Sequence, residues 1–189
     1  RGDGGGLTPD YYIKYEEAWA WFAGLDCAGL RDSIVTHTPP HGCLRALLAR
    51  VFGRAELATE ELREQRERLL CVAKLKFGEG ASSAEGEAGE VHLRMLQTIY
   101  AGLTGQRKAV GRLGAHWEDI GFQGNDPATD LRDLGMLSLV QLLFLATEHV
   151  RKAKAVFAFA SESSAVPEAR GHGFPFALLG ISLTRAAAA

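Results

Sequence analysis

Cysteine is scarce in this sequence, and the spacing of the few cysteines argues against a disulfide-rich fold. Cys27, Cys43 and Cys71 are spread over 189 residues without any C-x-x-C pair. An odd number of widely separated cysteines favours neither a disulfide framework nor a zinc ribbon. We therefore expect reduced thiols and an intracellular, cytoplasmic protein.

The sequence also lacks an excess of charge of one sign and a long uninterrupted apolar run. The formal net charge is -2, and basic and acidic residues are interspersed, unlike the polybasic fields that bind nucleic acids or anionic membranes. The longest nearly continuous apolar run, from Leu134 to Ala146, contains Ser138 and Gln141 and is shorter than the ~20 residues of a membrane-spanning helix. We expect no nucleic-acid partner and no membrane span, and this run predicts a buried helix.

Signatures of an independent active site are absent as well. The sequence contains no P-loop, no G-x-S-x-G motif and no dinucleotide fingerprint. The candidate metal ligands are His37, His41 and Cys43, but two prolines between the histidines argue against a helix that presents both on one face. No metal or cofactor is therefore expected, and these side chains are interpreted as surface residues.

What the sequence does contain is helical periodicity along most of its length. Strand-like alternation is scarce and no internal repeat is evident, so the expected fold class is all-α, an irregular multi-helix bundle. The Gly-rich stretch 78–90 is predicted to be a surface loop. Helices are predicted around residues 12–22, 44–51, 59–77, 93–103, 134–157 (one long helix or two abutting ones) and 177–189.

A stretch crowded with glycine, proline and short acidic side chains, HWEDIGFQGNDPATDLRDLG, runs from His116 to Gly135. Pro127, Thr129 and Asp130 are candidate helix-start residues before the apolar run. With Asp130 as the cap, Arg132 falls in the first helical turn. A cation is unfavourable there, because the unpaired amide groups of a helix start favour anions.

Two interpretations of Arg132 remain open from the residues alone. In the first, the guanidinium pairs with Asp126, Asp130 or Asp133 and only fastens the loop. In the second, it points outward to a phosphate group of a partner, helped by the amide groups of the helix start.

The other side chains of this stretch have simpler interpretations. Glu118 and Asp119 are a conceivable acid/base pair, but adjacent helical residues point about 100° apart, so a loop or helix-start role is favoured. Trp117, Ile120 and Phe122 are interpreted as core anchors that pin the loop and thereby hold the arginine in place.

Two segments of the sequence resemble a known protein family. The segment WEDIGFQGNDPATDLRDLGMLSLVQLL, from Trp117 to Leu143, resembles the signature of the ELMO domain family: a tryptophan, I-G-F-Q, a D-P or N-P pair, T-D, then an arginine and an apolar helix. A second segment, FPFALLGISLT from Phe174 to Thr184, is similar to the P-F-A segment of the family. We therefore identify an ELMO-type domain in the chain.

The resemblance implies a domain organisation around this match. Residues 1–10 are expected to be a flexible N-terminal segment, and residues 11–57 to form helices that precede or open the domain. The ELMO domain is assigned to residues 58–189. Family members usually continue through further helices beyond TRAAAA, so the chain either ends early or is C-terminally incomplete.

In its ELMOD branch the family implies a GTPase-activating protein for Arf and Arf-like small GTPases, with an all-α fold. The signature arginine of the family is considered a catalytic finger, and in this sequence that position is Arg132. An arginine supplied in this way stabilises the charge on the phosphate oxygens of GTP. Further residues of the motif are expected to shape the loop or to contact the GTPase: Trp117, Gln123, Asn125, Asp126 and Asp130.

The sequence departs from the family at two positions. Asp133 follows the arginine where family members usually have glycine, and Ser138 replaces a further small glycine. The alternative function is therefore a non-catalytic scaffold or a structural component of a larger cytoskeletal or ciliary assembly, whose partners are other proteins. An accidental similarity is the third alternative, and the two separated motifs in the expected order argue against it.

Overall fold

The computed structural model describes residues 9–26, 60–79, 86–165 and 174–188. In this part of the chain the secondary structure is helical and no strand is present, which confirms the all-α prediction. Two 3-10 helices connect the third and fourth α-helices. The elements are α1 (Tyr15–Gly24), α2 (Glu60–Lys74), α3 (Glu87–Thr104), η1 (Ala115–Ile120), η2 (Pro127–Arg132), α4 (Gly135–Glu148), α5 (Val150–Ala165) and α6 (Phe176–Ala188).

The apolar run of the sequence forms α4, which lies at the centre of the bundle. It packs against α1, α2, α3, α5 and α6, and also against η2. A helix that is apolar on nearly all sides must be covered by its neighbours, and this explains the central position. The prediction of a buried helix is confirmed, and the following residues of α4 are buried: Met136, Leu137, Leu139, Val140, Leu142 and Leu143.

The aromatic N-terminal helix α1 belongs to the same hydrophobic core. Phe22 is fully buried, and the rings of Tyr15 and Phe144 make an edge contact with centroids 4.9 Å apart. The backbone N–H of Ile13 donates to Thr98 Oγ1 on α3 over 3.0 Å. The second helical stripe predicted in the N-terminal region, residues 44–51, lies outside the described residues.

One predicted boundary differs from the structure, and one alternative that the sequence left open is decided by it. Helix α3 begins at Glu87, inside the loop predicted for residues 78–90, because Glu87 and Glu90 in the first turn favour a helix start. The long helix predicted for residues 134–157 is two abutting helices, which were one of the two alternatives. The break lies at His149, whose backbone leaves the helical conformation.

The expectation of three reduced thiols is wrong for Cys71. This residue is fully buried in α2 and is disulfide-bonded. The spacing of cysteines along a chain does not determine which of them approach each other in the fold, and this is why the expectation failed.

Two further findings concern the described residues alone. None of their helices is both long enough and apolar enough to cross a lipid bilayer. Within them no group of three or more His, Cys, Asp or Glu side chains could hold a metal ion. The candidate ligands His37, His41 and Cys43 lie outside this part of the chain.

Candidate functional site

The two sequence segments that resemble the ELMO family are in direct contact. Gly121 has a φ of +92°, and a Cβ at this position would lie 2.7 Å from the carbonyl carbon of Pro175 and would overlap the backbone nitrogen of Phe176. The N–H of Leu178 donates to the carbonyl of Gly121 over 3.3 Å. Glycine is required here because no side chain fits between the end of η1 and the start of α6.

Trp117 anchors the loop to the hydrophobic core. Its side chain is fully buried, and the indole N–H donates to the carbonyl of Arg112 over 2.7 Å. The rings of Tyr100 and Phe122 make edge contacts with the indole. Trp117 is therefore a core residue. It contributes to the predicted partner binding only by holding the loop in place.

The start of η2 is fixed by Asp126. Its carboxylate accepts from the N–H of Ala128 over 3.0 Å and forms a 3.0 Å ion pair with Arg112. Pro127 occupies the first position of the helix, where its missing N–H and fixed φ are favourable. Asp126 is thus the N-cap, and the expectation that Thr129 or Asp130 caps a helix here is wrong.

The remaining candidate residues of this loop are held by backbone hydrogen bonds. The carboxylate of Asp130 accepts from the N–H of Gln123 over 2.8 Å. The carbonyl of Asn125 accepts from the N–H of Gly114 over 2.9 Å. The side chains of Gln123 and Asn125 are exposed, so they are placed at the surface of a loop whose backbone is fixed.

The end of η2 meets the end of α2 at a very close backbone approach. Gly135, the first residue of α4, has a φ of +47°, and a Cβ there would overlap the carbonyl oxygen of Leu75 and lie 2.8 Å from that of Ala73. The N–H of Met136 donates to the Leu75 carbonyl over 3.1 Å. This contact ends η2 and sets the direction in which α4 enters the core.

Arg132 lies in the last turn of η2, immediately before this contact, and its side chain is exposed. The prediction that it sits in the first turn of a helix is therefore wrong, because η2 begins at Pro127. The last turn is the favourable end for a cation, since unpaired carbonyl groups carry partial negative charge there.

None of the described residues forms an ion pair or a side-chain hydrogen bond with Arg132. Asp126 binds Arg112, and Asp130 binds the backbone of Gln123. Asp133 forms a 3.1 Å ion pair with Arg185 in the last turn of α6. The three carboxylates that were candidate partners of the guanidinium are thus engaged elsewhere.

A groove with a volume of about 440 Å³ opens beside Arg132. Arg132 and Thr129 line it on the η2 side, and Lys76 and Phe77 line it on the α2 side. The guanidinium carbon of Arg112 lies 4.7 Å from the centre of the Phe77 ring, at a distance typical of a cation–π contact. Asp126 also lines the groove, and Lys76 pairs with Glu79 over 3.5 Å. Among the described lining residues, Arg132 is thus the cation left to meet an anionic group.

Behind this groove the buried imidazole of His92 supports the chain just after α2. Its Nδ1 accepts from the N–H of Gly78 over 3.0 Å, and its ring contacts those of Phe77, Phe22 and Trp21. Burial lowers the pKa of His92 from 6.5 to about 4, because the charged form is poorly solvated there. His92 therefore acts as a neutral hydrogen-bond acceptor.

Glu118 and Asp119, which were weighed as an acid/base pair, are both exposed on η1. Asp119 Oδ2 accepts a long, 3.4 Å hydrogen bond from the hydroxyl of Tyr100. Burial, followed by the charge of Asp119, raises the pKa of Tyr100. This contact ties Asp119 of η1 to α3.

Several residues around Arg132 were missed by the sequence analysis. Lys76, Arg112 and Arg185 contribute charge to the site, and His92 supports it. Lys76 follows the end of α2, and His92 lies on α3. Arg112 lies in the loop after α3, and Arg185 lies on α6, so no local spacing relates these residues to the arginine. Of these residues, Arg185 alone had a local signal in the sequence, because the end of a helix favours a cation.

Comparison of the sequence with known proteins identifies relatives of this chain. The family model described as the ELMO/CED-12 family matches residues 86–189. The chain is 35% identical over 179 residues to ELMO domain-containing protein 3 of Homo sapiens, a match that covers 95% of this chain and 43% of the relative. It is 31% identical over 100 residues to ELMO domain-containing protein 2 of Mus musculus, covering 53% of this chain and 32% of the relative.

A relative from a third organism gives a similar result. ELMO domain-containing protein B of Dictyostelium discoideum is 31% identical over 93 residues, which is 49% of this chain and 30% of the relative. The chain thus spans less than half the length of these curated relatives. No solved structure matches the chain.

Proposed function

Because the chain belongs to the ELMO/CED-12 family, we propose that it stimulates GTP hydrolysis on an Arf or Arf-like small GTPase through Arg132. In this proposal the GTPase holds the nucleotide, its Mg²⁺ and the attacking water. The chain contributes a positively charged side chain to the nucleotide site of its partner.

The chemistry requires nothing else from this chain. As the bond to the γ-phosphoryl group breaks, negative charge is spread over the phosphate oxygens, and a guanidinium can donate two hydrogen bonds to them. An arginine supplied by an activating protein accelerates hydrolysis by about 10³ to 10⁵. The arginine remains chemically unchanged and acts by stabilising the transition state.

The observation that carries the proposal is the exposed Arg132 guanidinium, without an ion-pair partner among the described residues. An arginine that must bind a phosphate group cannot be neutralised by its own protein. Its backbone is also fixed, because η2 is capped by Asp126 at one end and followed by Gly135 at the other. A fixed backbone lowers the entropy that is lost when the side chain binds.

The surroundings of Arg132 support an interface at the same place. The exposed side chains of Gln123 and Asn125 lie on the same loop. Lys76 also lines the groove, where its ammonium group pairs with Glu79 over 3.5 Å. In the proposal, the groove faces the nucleotide side of the GTPase, and these side chains contact the surrounding protein surface.

One observation favours a second function, that of a non-catalytic ELMO-type scaffold in a larger cytoskeletal or ciliary assembly. Asp133 places a carboxylate directly after the arginine, where the family usually has glycine. The Asp133 side chain is 55% exposed, and a negative charge near the finger position opposes the approach of a phosphate group. A scaffold has no need of an unopposed arginine, so the two functions predict different effects of changing Arg132.

The decisive experiment is single-turnover hydrolysis of GTP bound to each member of a panel of Arf and Arf-like GTPases. The wild-type chain is compared with its Arg132→Ala and Arg132→Lys variants. We expect the wild type to accelerate hydrolysis. The acceleration by Arg132→Ala should be at least about 100-fold smaller than that by the wild type. Lysine restores only a small part, because it cannot form two parallel hydrogen bonds.

The matched control is Arg151→Ala, which removes an exposed arginine at the start of α5. It should leave the acceleration unchanged. Equal losses in both arginine variants would point to a general effect of charge on docking. If the wild type accelerates none of the GTPases but binds one of them, the scaffold replaces the catalytic proposal.

A further inference from the structure

The helix α6 contacts the segment of Arg132 at both of its ends. Near its start, the N–H of Leu178 binds the carbonyl of Gly121. In its last turn, Arg185 Nε lies 3.1 Å from Asp133 Oδ2. One helix therefore connects the beginning of the motif with the residue that directly follows Arg132.

The position of Asp133 makes the second of these contacts important. An unpaired carboxylate next to Arg132 would interfere with phosphate binding in two ways. It would attract the guanidinium, and it would repel phosphate oxygens that approach the guanidinium. The Asp133 side chain is 55% exposed, so no packing prevents it from turning. The observed ion pair with Arg185 directs its charge toward α6 and reduces its effect on Arg132.

Arg185 is well placed to do this without being needed for folding. It lies in the last turn of α6, where a positive charge is favoured by the unpaired carbonyl groups of the helix end. Its side chain is 73% exposed, and exposed ion pairs contribute little to stability. The contact therefore has a small effect on the fold and a larger effect on the charge beside Arg132.

We infer that Arg185 is a positioning residue for Arg132. By pairing with Asp133, it keeps the Arg132 guanidinium free to receive an anionic phosphate group from a partner. This inference rests on the proposed function of Arg132, and it accounts for a carboxylate directly after that arginine.

The test measures how accessible the Arg132 guanidinium is, independently of any GTPase. Phenylglyoxal reacts with free guanidinium groups, and mass spectrometry of chymotryptic peptides locates each adduct. The rate at Arg132 is divided by the rate at the exposed Arg151 in the same chain. This ratio is compared between the wild type, Arg185→Ala, Arg185→Lys and the double variant Arg185→Ala/Asp133→Asn.

We expect Arg185→Ala to lower the ratio by about two- to fivefold, because the released carboxylate pairs with Arg132 or shields it. Arg185→Lys should retain the wild-type ratio, because it keeps the charge. The double variant should also return to the wild-type ratio, since it removes the carboxylate that the inference holds responsible. A purely structural role of Arg185 would not be rescued by Asp133→Asn.

Two results would overturn the inference: a ratio in Arg185→Ala that is equal to or above that of the wild type, or a ratio that stays low in the double variant. Hydrolysis of GTP with the same variants and with Arg132→Ala then separates this inference from the proposed function. If the ratios behave as expected but Arg132→Ala has no effect on hydrolysis, the role of Arg185 stands and the catalytic proposal fails. If Arg132→Ala is inactive and Arg185→Ala leaves both ratio and hydrolysis unchanged, only the inference fails.

Discussion

At its start η2 is held by a chain of packed side chains, whereas its end is held by one backbone contact and one exposed ion pair. This series of side-chain contacts runs from the buried His92 through Phe77 and Arg112 to the cap Asp126. At the other end, Gly135 lies against the end of α2, and the ion pair to Asp133 is open to solvent. Arg132 is located on this second, less enclosed side.

The difference shows how the fold can expose a charged side chain on a well-fixed backbone. Packing of several groups at the start of η2 determines where the helix lies. At the end, a contact between backbone atoms does the same without covering the neighbouring arginine. The two ends should consequently respond very differently to substitution.

The largest effect is expected for Gly135→Ala. Its φ of +47° is unfavourable for alanine, and the new Cβ would overlap the carbonyl oxygen of Leu75. Because that oxygen belongs to the backbone at the end of α2, it cannot move away cheaply. We expect the free energy of unfolding to fall by more than about 4 kcal/mol, measured by urea denaturation.

Gly124→Ala is the control for this prediction. No atom lies within 4 Å of a Cβ at that position, so the change should be within about 0.5 kcal/mol. If the two variants are equally stable, the close approach of α4 and α2 does not fix the end of η2.

The second effect concerns His92, which supports the start of η2, and it depends on pH. The pKa of His92 is about 4 in the folded chain and 6.5 when it is unfolded. As the pH falls from 6.5 toward 4, the unfolded imidazole therefore binds a proton that the folded one does not. The neutral His92 therefore makes its full contribution to the free energy of unfolding above pH 6.5. About 3 kcal/mol of this free energy is lost by pH 4.

The measurement is the free energy of unfolding as a function of pH for the wild type and for His92→Gln, which cannot titrate in this range. The difference between the two curves should decrease by about 3 kcal/mol between pH 7 and pH 4. Substitution of the exposed His149 by glutamine provides the comparison for a histidine outside the core. A wild-type curve parallel to that of His92→Gln would show that the imidazole is not held neutral.

The third effect is expected at the cap itself. Asp126→Ala removes both the hydrogen bond to the N–H of Ala128 and the ion pair with Arg112. We expect a loss of about 1 to 2 kcal/mol in the free energy of unfolding. Asp126→Asn keeps the capping oxygen and loses only the charge, so it should cost about 0.5 kcal/mol. Equal losses in both variants would mean that the ion pair, rather than the cap, holds the start of η2.

The sequence was sufficient to predict the all-α fold, the buried helix α4 and the motif around Arg132. It did not determine where η2 begins, because Asp126, Thr129 and Asp130 all have side chains that cap helices. Pro127 was the informative residue, since proline favours the first helical position and so points to Asp126.

The partners of the carboxylates could not be predicted from the sequence, because they depend on distant elements. Arg112 precedes η1 in the chain, and Arg185 lies in the last turn of α6. Local spacing made the neighbouring aspartates the obvious partners of Arg132. The fold instead supplies other arginines to two of these aspartates and leaves the third on a backbone N–H.

The smallest effect on stability is expected for Arg185→Ala, at the exposed end of η2. Both side chains of its ion pair with Asp133 are more than half exposed, so water and salt screen the attraction. We expect the free energy of unfolding to change by less than about 0.5 kcal/mol. This result would establish that any change in the reactivity of Arg132 in the same variant comes from local charge. A loss of more than about 1 kcal/mol would instead show that this end of η2 depends on the ion pair, and the contrast between the two ends would then be smaller than the structure indicates.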